Sequence, residues 1–129
     1  MKLLLDTCTF LWAVAAPERL PARAAELILA DGNEVFVSAA SGWEIAIKVA
    51  TGRLRLREAP DRFVRQQREA SGFASLPIDE ESALHVWRLP PLHRDPFDRM
   101  LVSQAIVHGL TILTPDPLVV QYPARSSWA

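Results

Sequence analysis

The sequence predicts an α/β fold of three layers, α/β/α, in which a central, mostly parallel sheet of four or five strands is covered by helices on both faces. Three observations carry this. Short apolar runs such as KLLLD and EVFVS end in a polar or acidic residue and have the composition of strands buried on both faces. Amphipathic stretches of helical length separate them. Apolar run and helix also alternate along the chain, the order that gives a parallel sheet with crossover helices. The length, 129 residues, suits one such domain over 1–129, with no internal repeat or linker-like stretch.

KLLLD, at the start, is the first strand, and FLWAVA follows as a short helix. PARAAELILAD is a fuller helix, with Pro21 near its start and Gly32 just past its end. EVFVS is the second strand. SGWEIAIKVATG reads as a helix closed by Gly52, and DRFVRQQREASG as another from Asp61 to Gly72. FASLPI is the third strand, and DEESALHVWRL is a helix stopped by Pro90 and Pro91. DPFDRMLVSQAIVHG forms a helix ending at Gly109, LTILT the next strand, and DPLVVQY a short helical or turning segment.

Half the residues are hydrophobic and 22% are charged, an ordinary globular balance that excludes a disordered or fibrous chain. A formal charge of −1 gives no general attraction to polyanions. Of the 14 basic residues only Lys2 and Lys48 are lysines, so the cationic groups favour bidentate contact with carboxylate or phosphate. Cys8, the single cysteine, cannot form an internal disulfide and fits a reducing compartment. MKLLLDTCTFLWAVAA loosely imitates a secretory leader, but Asp6 interrupts it and it is too short to span a bilayer. The expectation is a cytoplasmic protein with no membrane association.

In parallel sheets, ligands gather outside the carboxyl ends of the strands. KLLLD ends there in Asp6, and LTILTPD runs off its strand into Asp116. Each also reads as a helix N-cap. Glu44 belongs to a narrow polar stripe, Ser41, Glu44, Lys48 and Thr51, at helical spacing; Trp43, Ala46, Ile47 and Ala50 share one apolar face, and Ile45 and Val49 form a second flank. Such a stripe is either solvated, with Glu44 and Lys48 paired four apart, or turned to a cleft. HRDPFDRML has the grammar of a helix start, with Asp95 at N-cap, Pro96 at N1 and Asp98 at N3. Asp98 shares its side with Leu101, Val102 and Ala105 and is expected to face inward, where a carboxylate needs a cation or hydrogen bonds. Four acids converging at one sheet edge would repel one another, and a hard divalent cation relieves this. The residues alone thus lead to an acidic, metal-dependent site for phosphate chemistry.

The stretches LLLDTCTFLW, VSAASGWEIAIK, LPPLHRDPFDRMLVSQA and LTILTPDP, in this order over nearly the whole chain, resemble the successive motifs of PIN-domain ribonucleases, in particular the VapC-type toxins of toxin–antitoxin modules. The resemblance implies a PIN-like fold and an Mg²⁺- or Mn²⁺-dependent endoribonuclease. Asp6, Glu44, Asp98 and Asp116 are its implied metal and catalytic residues, with Asp95 as an auxiliary candidate and Thr7 and Thr114 holding the acids through their hydroxyls. It further implies an RNA substrate, a VapB-like antitoxin that neutralises the toxin, and a homodimer. The contrasting reading is a catalytically silent PIN-like module that binds RNA or protein. A receiver-like phospho-acceptor domain would want paired acids after the first strand and a lysine after the last, and neither is present.

The chain departs from that pattern at Cys8, where many relatives carry histidine, at Gly42, where a bulkier apolar residue is common, and at Pro115, which stiffens the approach to Asp116. His85, His93 and His108 show no acid–base pairing of the kind a metal-free route needs; His93 is near the site by sequence and is a candidate for substrate contact. Arg94 and Arg99 beside the acids, and Lys48 on the polar stripe, are candidates for gripping RNA. Arg53, Arg55 and Arg57, and Arg62, Arg65 and Arg68 at helical spacing, are two further basic sets; a solvated face accounts for the second. Trp12, Trp43 and Trp87 are candidates for an antitoxin groove or dimer face.

Overall fold

The computed structural model describes residues 1–129. Strand β1 (Lys2–Leu5) leads into α1 (Thr7–Ala15) and α2 (Ala22–Leu29); β2 (Glu34–Ser38) runs directly into α3 (Ala39–Ala50), followed by α4 (Pro60–Ala70) and β3 (Ala74–Leu76). Then come α5 (Glu80–His85), α6 (Pro96–His108), β4 (Thr111–Leu113), α7 (Pro117–Val120) and β5 (Ser126–Ser127). The strands form one sheet in the order β3-β2-β1-β4-β5, every pairing parallel. The chain order reverses on either side of β1, so the carboxyl ends of β1 and β4 flank a topological switch point, the place where such sheets bind ligands.

Alternation along the central strand divides the core into two layers. Leu3 and Leu5 pack with Phe10 of α1, Ala24 and Leu27 of α2 and Ile45 of α3. Leu4 and Ile112 face the other way, onto Leu101, Val102 and Ala105 of α6 and Val119 of α7. Leu3, Leu4, Leu5, Ile112 and Leu113 have no more than traces of exposure, which is why these runs are uniformly apolar rather than alternating.

The structure shifts several sequence boundaries. α3 begins at Ala39, because the Ser38 hydroxyl accepts the Ala40 amide and caps the helix immediately after β2. α4 begins at Pro60, whose missing amide donor suits the first helical position. The stretch before Pro90 is α5 followed by a 3₁₀ turn over Val86–Arg88 rather than one helix. The fifth strand, Ser126–Ser127, has no apolar signature; it is paired through backbone, with Ile112 donating to the Arg125 carbonyl and Thr114 to that of Ser127.

The start of α5 is tied to the end of α6. Asp79 caps α5 by accepting the Ser82 amide at 3.0 Å, and its other oxygen lies 2.8 Å from His108 Nε2 in the last turn of α6. The His108 bond, aided by the Ser82 bonds, holds the Asp79 carboxyl well below the usual carboxylate range. A carboxyl depressed in the folded state stabilises the fold fully above its unfolded pKa, and this contribution is lost progressively as the pH falls from there toward the lower folded pKa. The urea midpoint of the unsubstituted protein is therefore expected to fall more steeply below about pH 4 than that of Asp79→Asn; parallel acid limbs would remove the linkage.

Candidate active site

Four elements deliver one acid each to the switch point. Asp6 ends β1 and caps α1, accepting the Thr9 amide at 2.9 Å on Oδ1. Its Oδ2 receives the Thr114 hydroxyl at 2.6 Å, a bond from the end of the neighbouring strand β4. Glu44 comes from α3: Oε1 accepts the Thr7 hydroxyl at 2.6 Å, and Oε2 lies 2.8 Å from Lys48 Nζ. Asp98 stands in the first turn of α6, and Asp116 caps α7 by accepting the Leu118 amide. Asp6, Glu44, Asp98 and Asp116 line one cavity of about 240 Å³, together with Asp95, Lys48 and Cys8. Asp6 and Glu44 are buried, at 4% and 6% exposure.

Asp6 and Asp116 are each helix caps that also line the cavity. The polar stripe of α3 is divided: Ser41 is fully buried, within 3.0 Å of Thr7 Oγ1, Glu44 is buried at the cavity, Lys48 lines the cavity while staying partly in solvent, and Thr51 is exposed. Asp95 is a cap in geometry, accepting the amides of Phe97 and Asp98 with one oxygen. Asp98 does not reach back as a capping-box acid would. Its Oδ2 instead lies 2.9 Å from His93 Nε2, which is also 3.7 Å from Asp116 Oδ2.

His93 is the site residue that spacing alone did not place among the acids. The loop before α6 folds back so that a residue five positions upstream of Asp98 meets it. Arg99 makes that fold possible, donating to the carbonyls of Pro90 and Val86 and to the Tyr122 hydroxyl. Arg99, a candidate RNA contact by sequence, anchors this loop through these three bonds to protein acceptors. Lys48 pairs with Glu44 while its side chain stays 41% exposed. Arg94 stays exposed, next in the chain to the cavity-lining Asp95.

The donor atoms of His93, Asp98 and Asp116 lie within 4.8 Å of one another. The His93 Nδ1 accepts the Asp95 amide at 3.5 Å, which puts the proton of a neutral ring on Nε2, pointing at Asp98. The imidazole therefore serves as a donor that orients carboxylates. Cys8 offers no thiolate: burial and the neighbouring Asp6 carboxylate push its thiol up to about 12. The donor set is oxygen-rich without a soft ligand, which fits Mg²⁺ or Mn²⁺. The electrostatics agree, since burial and then the charges of Asp95 and Glu44 push Asp98 up to about 6 against the opposing pull of His93. The protein's own cations do not neutralise the cluster.

The sequence profile of the PIN domain matches residues 3–122. The chain belongs to the PIN-domain family. Among solved structures, this PIN domain is similar to VapBC2 from Rickettsia felis bound to a promoter DNA fragment, at 16% identity over the whole of both chains and a TM-score of 0.74. It is similar to DNA-bound VapBC from Salmonella typhimurium, at 19% identity over 98% of this chain and 97% of that one, TM-score 0.67. VapBC-1 from nontypeable Haemophilus influenzae gives 17% identity, coverage of 98% and 97%, and a TM-score of 0.63. These are likenesses of fold. No curated protein matches the sequence.

Raising the pKa of Asp98 means that its charged form opposes folding when no cation is bound; the opposition builds as the pH rises from 3.8 to about 6 and is complete above that. Asp98→Asn removes that charge and keeps a hydrogen-bonding group for His93. Its thermal midpoint in EDTA is expected to exceed that of the unsubstituted PIN domain, by more at pH 8 than at pH 5. A lower midpoint at both would refute the repulsion argument.

Proposed function

We propose that this PIN domain is a divalent-metal-dependent endoribonuclease, the VapC-type toxin of a toxin–antitoxin module, held silent by a VapB-like antitoxin and acting as a homodimer in the cytoplasm. The observation that carries the proposal is the convergence of Asp6, Glu44, Asp98 and Asp116, from four separate elements, on one small cavity at the carboxyl edge of the sheet. The VapBC neighbours support the toxin–antitoxin part. No helix is long and apolar enough to cross a membrane.

Asp6, Glu44 and Asp98 would hold the principal ion, and Asp116 would orient it or hold a second. A bound Mg²⁺ or Mn²⁺ would supply an activated water and stabilise charge on the phosphate and the leaving oxygen. The remaining residues prepare those carboxylates. Thr114 fixes Asp6 and Thr7 fixes Glu44 through short hydroxyl bonds. His93 fixes Asp98 from the loop that Arg99 anchors. Lys48 balances Glu44, and Arg94, exposed and next in the chain to the cavity-lining Asp95, would meet a phosphate. Because the acids are set before substrate arrives, little of the binding energy goes to reorganising them.

The test is cleavage of a mixed RNA pool by antitoxin-free protein in Mg²⁺, Mn²⁺ and EDTA. Cutting is expected with metal only, and to fall on the order of 10²-fold or more in Asp6→Asn and Asp98→Asn. Asp95→Asn, a cap variant, should lose far less. Intact, folded protein that cuts no RNA in either metal would favour the silent binding module.

His93 gives a second prediction. His93→Ala should weaken Mn²⁺ affinity roughly 10- to 100-fold, the usual cost of losing a group that orients a ligand, while His93→Gln, which can still donate to Asp98, recovers most of it. Calorimetric titration with Mn²⁺ decides; equal affinities for all three proteins would leave His93 with no part in the site.

A further inference from the structure

A second cavity, of about 560 Å³, lies on the other flank of α3. Gly42 and Ala46 of α3 form one wall, and Asp61, Val64, Arg65 and Arg68 of α4 the other. Residues two apart on a helix point about 200° apart, so Gly42 and Ala46 face away from the side on which Glu44 and Lys48 enter the acid cavity. Between the two cavities runs the crest of α3, carrying Trp43, 57% exposed, and Ile47, 37% exposed. The indole is braced edge-to-face by Phe97, ring centroids 5.0 Å apart, and Phe97 immediately precedes Asp98.

We propose that this groove and crest are a track for single-stranded RNA leading out of the acid cavity, with Arg65 and Arg68 taking backbone phosphates and Trp43 stacking an unpaired base. The proposal rests on the nuclease reading above and adds where the substrate lies. Charge supports it: residues 48–69 hold seven of the 14 basic residues and three of the 15 acidic ones, in a chain of formal charge −1. The arginines of the groove are poorly matched within the protein. Arg68 is only 20% exposed, and its one carboxylate neighbour, Glu69, is 3.9 Å away and 71% exposed. Arg65 has no ion pair, and neither does Asp61, the one acid in the lining.

A cationic groove beside a braced, exposed aromatic is the combination that holds single strands with little sequence preference, because every base offers a face to stack. A strand passing from the acids to the arginines crosses one helix, roughly 10 Å, and must run over Trp43 to do so. Gly42 keeps the groove open. A Cβ there would meet only Val64 Cγ1, at 3.9 Å, so packing does not demand glycine, and a long side chain at this position would project into the groove.

The experiment measures binding of a short fluorescent single-stranded RNA to Asp98→Asn protein, chosen to prevent cutting, over a range of KCl concentrations, with a 2-aminopurine base reporting stacking. Adding Arg65→Ala or Arg68→Ala is expected to reduce the slope of log affinity against log salt by about 0.7 each. Trp43→Ala should weaken binding roughly 5- to 100-fold, leave that slope unchanged and abolish the 2-aminopurine signal, with Trp43→Phe restoring most of both. Gly42→Leu should weaken binding without lowering the thermal midpoint, since leucine is the better helix former. RNA bound equally well by all these variants overturns the track and assigns the face to a protein partner, leaving the nuclease reading intact. Failure of the Asp98→Asn parent to bind RNA, together with no cutting by the unsubstituted protein, overturns both.

Discussion

The structure at the carboxyl edge of the sheet depends on one constraint, that several carboxylates are held together largely out of water. An isolated buried carboxylate is costly, and like charges in one cavity compound the cost. The chain meets it oxygen by oxygen. Asp6 receives Thr114 on one side and the Thr9 amide on the other; Glu44 receives Thr7 on one side and Lys48 on the other. Asp98 has His93 and is still pushed up toward neutrality. Part of the cost therefore remains on the acid that heads α6.

Those donors come from distant parts of the chain, so the site exists only once the fold is complete. The bond from Thr114 to Asp6 joins residues 108 positions apart and follows from the pairing of β1 with β4. The bond from Thr7 to Glu44 locks the first turn of α1 against α3. On the far side, Arg99 gathers the Val86 and Pro90 carbonyls and Tyr122, whose hydroxyl also meets the His93 carbonyl at 3.5 Å. The arginine that stands next to Asp98 in sequence therefore acts on the site at one remove, by shaping the loop that presents His93.

What was legible in the sequence was whatever a local pattern determines. The apolar runs of β1, β2 and β4 announce burial on both faces, and Asp95 followed by Pro96 announces a helix start. Asp6 and Asp116 stood out because each follows an apolar strand, Glu44 because its polar stripe is narrow between two apolar flanks, and Asp98 because it heads an apolar row. The two-residue strand β5 was not legible, because backbone pairing with β4 makes it and its serines carry no pattern. His93 was not legible as a partner of Asp98, because a five-residue separation has no meaning until a loop folds back. The loop-anchoring bonds of Arg99 were not legible for a related reason: adjacent helix positions differ by about 100°, so its side chain leaves the helix in a different direction from that of Asp98.

Helix α3 joins these threads. Its periodicity divides it into a polar stripe and two apolar flanks, and the usual expectation is that the stripe meets water. The acid cavity reverses this. Glu44 is inside, in the cluster, Lys48 reaches over to balance it from the partly solvated edge, and Ser41 is buried against Thr7, so the first half of the stripe takes an interior position while Thr51 stays in water. Ile45 and Val49 pack into the core, and the remaining face, Trp43, Ala46, Ile47 and Ala50, is left on the surface. The exposed apolar crest beside the acids is thus a geometric consequence of placing a carboxylate on the inward side of a three-faced helix. Burying the chemistry and presenting a surface next to it are one decision, made by the position of Glu44 within its helix.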